Sequence, residues 1–257
     1  MRGKTEALEV LCRQLALEYN CTPDAFMSER NLVTAPALHP GRRRYIGSGR
    51  PPVLQMVTLG RGAVLTADER LHPWLRTYVE DKEGHWLFEL ERLRAIEARM
   101  RPLGWRLSGT HHMFLPDPRL LPVEPLAPVR WFEPPDFAVF YGDGRFGNAL
   151  CSCYCPERPD MLAVAAYDGD TVMGMAGCSA DTPLLWQIGI DVCPAYRGKG
   201  LGTYLVTLLK NEILRRGKLP IYGTASANLR SQNIARKTGF YPAWVEASAE
   251  RLPEGGV

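Results

Sequence analysis

The sequence predicts a mixed α/β fold, and three observations carry this prediction. Apolar strands and amphipathic helices alternate along much of the chain. Hydrophobic residues make up 46% of the 257 positions, an ordinary share for a globular protein with a large core. Prolines crowd residues 115 to 135 near the middle of the chain. We therefore expect a smaller N-terminal α/β region over residues 1–125 and a second α/β domain over residues 126–257.

The N-terminal region is predicted to contain one helix, strands and two further helices. The opening MRGKTEALEVLCRQLALEYN has helical spacing with charges throughout. PPVLQMVTLGRGAVLTA and GWRLSGTHHMFLP have the composition of strands, and ADERLHPWLRTYVED and GHWLFELERLRAIEARM between them have helical spacing. The proline-rich LPDPRLLPVEPLAPVRWFEPPD that follows is predicted as a linker, because proline disrupts helices and central strands.

The second domain has a clearer pattern. MLAVAAYDGDTVMGMAGCSA predicts two apolar strands joined by a tight turn at Asp168, Gly169 and Asp170. The strand LLWQIGIDV comes next, followed by a glycine-rich turn and a helix over about residues 201–216. The strand PIYGTASA and a last helix over about residues 229–237 complete the order strand, strand, strand, helix, strand, helix.

Charge and cysteine content limit the partners and the compartment. A net charge of +3 is too small for a protein whose main partner is nucleic acid. No uninterrupted apolar segment suggests a membrane span or a signal peptide, so we expect no membrane association. Seven cysteines, an odd number, favour a reducing cytoplasmic setting. The spacing of CSCYC does not match a structural zinc site, so we expect a loop with incidental thiols and no metal.

The stretch RGKGLG at residues 197–202 lies where a predicted strand passes into a predicted helix. Backbone amides at a helix N-terminus lack intrahelical partners, and the helix dipole makes this end favourable for phosphate. Three glycines allow a sharp turn and close approach of an anion, while an arginine and a lysine supply charge. The candidate cofactor-binding residues here are Arg197, Gly198, Lys199, Gly200, Leu201 and Gly202. A glycine-rich helix entry that binds nothing is the alternative.

Two nucleotide-binding motifs do not fit this stretch. A P-loop needs a glycine at position 193 and a serine or threonine after the lysine, and the sequence has neither. A dinucleotide fingerprint needs the spacing G-x-G-x-x-G, whereas these glycines are evenly spaced by two. The sequence therefore does not favour ATP or NAD as the ligand of this stretch.

The spacing Arg-x-x-Gly-x-Gly, filled by Arg197, Gly200 and Gly202, resembles the pyrophosphate loop of the GNAT N-acetyltransferase superfamily. IDVCPAYRGKGLGTYLVTLL resembles the main motif of that family, and Asn228 followed by Gly239 and Phe240 resembles its second motif. The resemblance covers about residues 136–247 and is to bacterial members with an additional N-terminal α/β region. It implies a GNAT acyl-CoA fold, acetyl-CoA or a related acyl-CoA as donor, and attack of an amine on the thioester in a ternary complex.

The resemblance also implies where the donor binds. In such a fold the strand ending at Val192 and the strand IYGTASA splay apart, and their unpaired backbone groups bond the amides of the pantetheine arm. Ile190 and Val192 would lie along this arm. Asn228 is similar to a pantetheine-contacting asparagine of the family; it is also predicted as the N-cap of the last helix, and the two roles are compatible.

The catalytic residues are not assigned by the sequence. Family members often place a tyrosine seven residues after the motif asparagine, where it protonates the leaving sulfur; here that position is Ala235. Tyr241 could supply a proton, but a packed tyrosine with its hydroxyl at the surface is the favoured interpretation. Asp191 is a weak candidate for the base, with a local hydrogen-bonding role favoured and a water-mediated base as the alternative.

Several functional questions stay open at this level. Because Ala235 replaces the family tyrosine, a non-catalytic acyl-CoA-binding regulatory module is the alternative to an enzyme. The acceptor is expected to be an amine of a small molecule or a peptide, and the N-terminal region is expected to shape the acceptor side or form a homodimer contact. The stretch HPGRRRYIGSGRPP, with Arg42, Arg43, Arg44 and Arg50, is predicted as a solvated basic loop.

Overall fold

The structure of the protein is a computed structural model that describes residues 3–43 and 51–253. Contacts divide the chain into two compact units. The C-terminal unit consists of Phe114–Pro242 and the first residues of the chain up to Ala7. The N-terminal unit consists of Leu8–Met113 and resumes at Ala243. The predicted division between residues 125 and 126 stays a prediction.

The N-terminal unit combines strands with helices. The elements that lie wholly or mostly in this unit are α1 Lys4–Tyr19, β1 Leu32–Thr34, β2 Leu54–Thr58, β3 Ala63–Ala67, α2 His72–Val79, α3 Leu90–Met100, β4 Trp105–Pro116 and β10 Phe240–Arg251. The strands lie in the order β1-β3-β2-β10-β4, with β1 parallel to β3 and with β2 antiparallel to both β3 and β10. Apolar side chains of α2 and α3 pack on Leu54, Met56 and Leu65.

The C-terminal unit is built on a mixed sheet. Its elements are β5 Val129–Phe132, β6 Asp160–Asp168, β7 Thr171–Ala180, β8 Leu185–Val192, α4 Leu201–Arg215, β9 Leu219–Ala225 and α5 Leu229–Lys237. The strands β9, β8, β7, β6 and β5 are neighbours in that order. β8 and β9 are parallel, because α4 connects them as a crossover, and the other pairs are antiparallel.

Both faces of this sheet are covered. On one face α4 buries Leu201, Leu205, Leu209 and Ile213, which recur every four residues and so lie on one side of the helix. On the other face the irregular segment of residues 137–150 packs on β6 and β7. β6 and β7 therefore bury side chains of both alternating sets, as their continuous apolar sequences require.

Most predicted elements are confirmed. The amino-terminal helix, both helices of the N-terminal region and the order from β6 to α5 agree with the sequence analysis. The last helix has the predicted bounds, Leu229–Lys237. The short strand β1 and the long strand β10 were not predicted. The part of the chain that the structure describes has no helix long and apolar enough to cross a membrane.

The linker prediction for residues 115–135 was wrong for two parts of the stretch. β4 continues to Pro116, and Val129–Phe132 forms the edge strand β5, which tolerates its proline-rich surroundings because one side needs no hydrogen bonds. Residues 117–128, here called the strap, form neither helix nor strand.

The strap is fixed to α4 by side chains of that helix. Asn211 bonds both backbone groups of Leu121, accepting from its N–H at 3.1 Å and donating to its carbonyl at 2.8 Å. The Tyr204 hydroxyl donates to the carbonyl of Ala127 at 3.1 Å. A segment whose backbone is satisfied in this way is an ordered part of the unit.

The solvated basic loop prediction was wrong for the two arginines that the structure describes. Arg42 is buried, with its guanidinium 3.5 Å from the Glu18 carboxylate. Arg43 forms an ion pair with Glu246 at 3.2 Å. The pairing is expected, because a buried charge without a partner is costly. Arg44 and Arg50 lie outside the described residues.

Candidate functional site

The candidate site begins where β8 and β9 part. Their paired residues run from Leu185 and Leu219 to Ile188 and Tyr222, and the described register stops there. β8 nevertheless continues to Val192, because its other edge stays paired with β7 up to Gly174. The last part of β8 thus presents an edge of backbone groups on the side of β9. An extended ligand with amide groups can bond to such an edge as an added strand does.

The turn after β8 is held by its own side chains. Residues Pro194–Tyr196 form a short 3-10 turn. The Arg197 Nε donates to the carbonyl of Val192 at 2.8 Å, which ties the turn to the end of the strand. Lys199 and the rest of the turn up to Gly200 are exposed. Two cationic side chains therefore lie at the N-terminal end of α4.

Two glycines of the turn have the conformation that a close approach requires. Gly198 and Gly200 have φ angles of +79° and +85°, in the left-handed region that favours glycine. A Cβ at Gly198 would meet nothing within 4 Å, and one at Gly200 would meet only the Leu126 side chain at 4.0 Å. The space next to both backbones is open, so an anion can reach the amides of the turn.

The N-terminus of α4 is open as well. Gly200 is its N-cap residue and has no side chain, and no other described side chain caps the helix. The first amides of a helix have no intrahelical acceptor, so they remain available for hydrogen bonds and carry partial positive charge. Together with Arg197 and Lys199, this end of the helix favours a ligand with negative charge.

Gly202 has a different reason to be glycine. A Cβ there would lie 3.0 Å from the side chain of Ile234 on α5 and 3.6 Å from that of Val192. Ile190 is also within 3.8 Å of this position. The glycine therefore lets α4 pack closely on β8 and α5, and the half-buried side chains of Ile190 and Val192 contribute to that packing. The side chain of Leu201 is also buried in this core. Leu201 and Gly202 can therefore contact a ligand only through their backbone groups.

Asn228 is the N-cap of α5, as one of its two predicted roles requires. Its Oδ1 accepts a hydrogen bond from the backbone N–H of Ser231 at 3.2 Å. The residue is exposed, so its side-chain amide group also faces solvent beside β9. The predicted contact of Asn228 with pantetheine stays a prediction.

Ala235, the position of the missing family tyrosine, lies in the core. It is fully buried. One helical turn earlier, Ser231 shares a hydrogen bond of 2.8 Å with the hydroxyl of Tyr222 on β9. The pKa of the Tyr222 hydroxyl is raised, chiefly because the group is buried. The hydrogen bond with Ser231 opposes this shift, and the charge of Asp191 adds to it. The phenol therefore stays protonated at neutral pH.

The hydroxyl of Thr224 has no partner among the described residues. Thr224 lies on β9 just beyond the last residue paired with β8, and it is only 6% exposed. An unsatisfied buried hydroxyl is costly, and such groups cluster where a ligand supplies the missing bond. This orphaned group and the open glycine turn fit a ligand that combines an anionic end with an amide-containing arm.

Asp191 holds a loop. Its carboxylate accepts hydrogen bonds from the backbone N–H of Asn148 at 2.8 Å, from the side-chain amide of Asn148 at 2.6 Å and from the N–H of Ala149 at 3.0 Å. Asp191 thus has a hydrogen-bonding role, as the sequence favoured, but its partners are distant in the chain and not local. The role of Asp191 as a catalytic base stays a prediction.

Two glycines allow the loop that contains Asn148 and Ala149 to pack directly on the sheet, and the sequence analysis did not predict this role. Gly177 and Gly189 are opposite each other on β7 and β8. A Cβ at Gly189 would collide with the carbonyl oxygen of Asn148, and one at Gly177 with that of Ala149. The segment of residues 137–150 therefore rests directly on the sheet. A glycine within an apolar strand is a signal for close backbone approach, and both positions carry that signal.

The ring of Tyr241 lies beside a charged pair. The Lys4 Nζ lies 4.9 Å from the centre of its ring, and Lys4 is 3.9 Å from the Asp117 carboxylate. Burial raises the pKa of the Tyr241 hydroxyl, and the charge of Asp117 raises it further. A catalytic role for Tyr241 stays a prediction.

The cysteine-rich segment is irregular, as predicted. Cys151, Cys153 and Cys155 are free thiols in a stretch without helix or strand. The backbone N–H of Cys151 donates to the buried carboxylate of Asp160. Among the described residues, no group of three or more histidine, cysteine or acidic side chains is arranged to hold a metal ion.

Comparison with known proteins identifies the domain that carries this site. Residues 126–240 match the model of the family described as Acetyltransferase (GNAT) family. No curated protein matches the sequence of the chain. The family match includes the whole turn, the strands β8 and β9 and the helices α4 and α5.

Solved structures are similar to the chain at low sequence identity. A GCN5-related N-acetyltransferase-like protein from Streptococcus suis is 16% identical, with a TM-score of 0.50, and the match covers 97% of this chain and 100% of that one. A GNAT-family protein from Novosphingobium aromaticivorans is 15% identical, with a TM-score of 0.45, and the match covers 57% of this chain but only 66% of that one.

A Salmonella typhimurium protein, described with its cofactor acetyl-CoA, is 18% identical with a TM-score of 0.35; the match covers 51% of this chain and 96% of that one. At these identities the likeness concerns the fold alone. The family match and the GNAT fold agree with the two motifs at residues 197–202 and 228–240. Residues 126–240 therefore form a domain of the GNAT acetyltransferase family.

Proposed function

We propose that the protein is an N-acetyltransferase that moves an acetyl group from acetyl-CoA, or a related acyl-CoA, to an amine by direct attack in a ternary complex. One observation carries the proposal: the edge of β8 that faces the departing β9 lies beside the open, uncapped N-terminus of α4. Family membership supports the acetyl donor.

The chain offers groups for the pyrophosphate and for the pantetheine arm of this donor. The amides from Gly198 to the start of α4, with Arg197 and Lys199, would hold the pyrophosphate. The free edge of β8 and the orphaned hydroxyl of Thr224 would bond the amides of the pantetheine arm. Bound donor supplies a thioester carbonyl, and a neutral amine held next to it gains from proximity and orientation.

The acceptor is proposed as an amine of a small molecule or a peptide. The N-terminal unit is proposed to shape the acceptor side or to form a homodimer contact. We also propose a cytoplasmic location, since thiols stay reduced in the cytoplasm and acyl-CoA is present there.

A second candidate is a regulatory module that binds acyl-CoA without transfer. It is favoured by the burial of Ala235 at the position of the family acid and by the three hydrogen bonds that occupy Asp191.

Two measurements on the same protein separate the candidates. Calorimetry measures binding of CoA, and a thiol reagent measures release of CoA from acetyl-CoA with a panel of amines, polyamines and peptides. We expect binding and an amine-dependent release above the rate of hydrolysis. Binding with no release across the panel would support the module, and absence of binding would refute both candidates.

A further inference from the structure

The phenol of Tyr222 lies where the two strands of the site part. Tyr222 is the last residue of β9 that is paired with β8, opposite Ile188. Its ring is fixed by two aromatic neighbours, edge-on to Phe114 with centroids 6.5 Å apart and tilted against Phe240 at 5.8 Å. Because the ring is fixed on both sides, its hydroxyl is directed toward the first turn of α5.

That hydroxyl bonds to a residue on the helix face of the missing acid. The Tyr222 hydroxyl and the Ser231 Oγ are 2.8 Å apart. Ser231 precedes Ala235 by four residues, so both project from the same face of α5. Ala235 is a methyl group in the same buried cluster as the Tyr222 ring. The cluster therefore has a small side chain on the helix and a phenol on the strand.

We propose that Tyr222, with Ser231 as its relay, is the proton donor to the leaving sulfur of the acyl transfer. The phenol that the helix lacks at position 235 is thus supplied from the neighbouring strand. This inference rests on the proposed function and names a residue that performs one of its steps.

The proton transfers balance within the site. The amine nitrogen forms a bond to the acetyl carbon, the carbon–sulfur bond breaks, and its electron pair stays on sulfur. Tyr222 gives its phenolic proton to that sulfur, which leaves as a thiol. The proton that the amine loses passes to the phenolate through Ser231 and water, so the enzyme returns to its starting state.

The environment of Tyr222 suits this role. Ser231 is half-buried, so the hydroxyl pair connects the core to the outside of α5. Thr224 lies two residues further along β9, on the same side of the strand, and its hydroxyl has no partner among the described residues. Two hydroxyls on one side of a departing strand, one of them unsatisfied, are arranged for a ligand between the strands.

The first test is Tyr222→Phe, which removes one oxygen and keeps the ring between Phe114 and Phe240. We expect kcat to fall about 100-fold with an unchanged KM for acetyl-CoA, since the lost group acts on the departing sulfur. Tyr204→Phe is the matched control: it also removes a hydroxyl that bonds elsewhere in this unit, to Ala127, and should keep kcat within about twofold.

A second readout does not depend on turnover. A phenol next to the sulfur stabilises the thiolate of bound CoA, which ultraviolet absorbance detects during a pH titration. We expect the pKa of the bound thiol to be about one unit higher in Tyr222→Phe than in the wild-type protein, with the same affinity for CoA. An unchanged thiol pKa together with an unchanged kcat would overturn the inference while leaving the acyl transfer intact.

A rescue variant covers the case in which Tyr222→Phe folds poorly. Tyr222→Ala with Ala235→Tyr moves the phenol from strand to helix and keeps the summed side-chain volume of the two positions. We expect the double variant to recover at least tenfold of the kcat that Tyr222→Ala alone loses. No recovery in a folded double variant would count against a proton donor at this place. If the wild-type protein itself releases no CoA with any amine, the proposed function fails, and the inference fails with it.

Discussion

Two sets of glycines near the end of β8 have opposite surroundings. Gly177 and Gly189 are crowded, because the chain's own backbone at Asn148 and Ala149 fills the space that a Cβ would need. Gly198 and Gly200 are open, because almost nothing lies within 4 Å of the same position. Both sets permit a close approach. In the first the approaching group is part of the protein, and in the second the space next to the backbone is open.

This difference separates packing from binding without reference to any other protein. A crowded glycine is required by packing, whereas an open glycine at positive φ is required only by the backbone conformation, so the space beside it stays free for another group. Gly202 belongs to the crowded set, although it lies in the same sequence motif as the open ones. The comparison thus divides the motif into residues that shape α4 and residues whose backbone borders open space, where we propose that the donor binds.

The crowded set gives the largest predicted effect. Gly189→Ala places a methyl group against the carbonyl oxygen of Asn148, so the segment of residues 137–150 must shift from the sheet. We expect the free energy of unfolding to fall by at least about 3 kcal/mol, measured by chemical denaturation.

Asp191→Asn is the comparison for Gly189→Ala, since it weakens the attachment of the same segment, residues 137–150, without a steric clash. The substitution removes the charge from three hydrogen bonds, and the loss should be smaller, about 2 kcal/mol. A Gly189→Ala protein as stable as the wild type would remove the distinction between crowded and open glycines. A stable Asp191→Asn protein without transferase activity would instead favour Asp191 as the base.

Local sequence signals predicted the strand, turn and helix that form the open part of the candidate site. A strand, a glycine-rich turn and a helix in succession define the N-terminus of α4, and each is encoded by residues close together in the chain. The same holds for Asn228 as the N-cap of α5. Elements of this kind are set by periodicity and capping, which a single sequence displays.

The rest of the site depends on contacts between distant residues. Asp191 meets Asn148 across 43 positions, and Asn211 meets Leu121 across 90. No local rule relates such pairs, so the attachment of residues 137–150 and the strap could not be predicted. β10 was missed for a similar reason: Pro242 interrupts its alternation, and its strand character comes from partners such as β2.

A charged contact of the strap gives the second prediction. Lys210 on α4 is fully buried, and its Nζ donates to the carbonyl of Arg119 at 3.4 Å. Burial lowers its pKa from 10.5 to about 8, against the favourable charge of Asp117. The close packing at Gly189 is steric and independent of pH, whereas the contact of Lys210 depends on whether its amino group is protonated.

The sign of the pH effect follows from that lowered pKa. Between about pH 8 and 10.5 the unfolded state holds the lysine proton that the folded state has released, so this group makes stability rise with pH. The full difference is about 3 kcal/mol. Lys210→Met should therefore be more stable than the wild type below pH 8, by about 2 kcal/mol after loss of the hydrogen bond. Denaturation curves at several pH values measure this. An advantage of the methionine variant that does not shrink as the pH approaches 10.5 would contradict it.

The open set gives the smallest effect, and its readout is affinity. Gly200→Ala directs a methyl group into the space proposed for the pyrophosphate, so the affinity for CoA should fall about tenfold, or about 1.4 kcal/mol. The positive φ adds backbone strain of about 1 kcal/mol, which has to be separated from the effect on binding.

Gly217→Ala provides that separation. Gly217 follows α4 with φ +71° and has nothing within 4 Å of its Cβ position, so alanine there meets the same kind of strain away from the turn. Both variants should lose similar stability, but only Gly200→Ala should bind CoA more weakly in calorimetry. Equal affinities for the two variants would mean that the open space at Gly200 is not where the anion lies, and the division between crowded and open glycines would then describe packing alone.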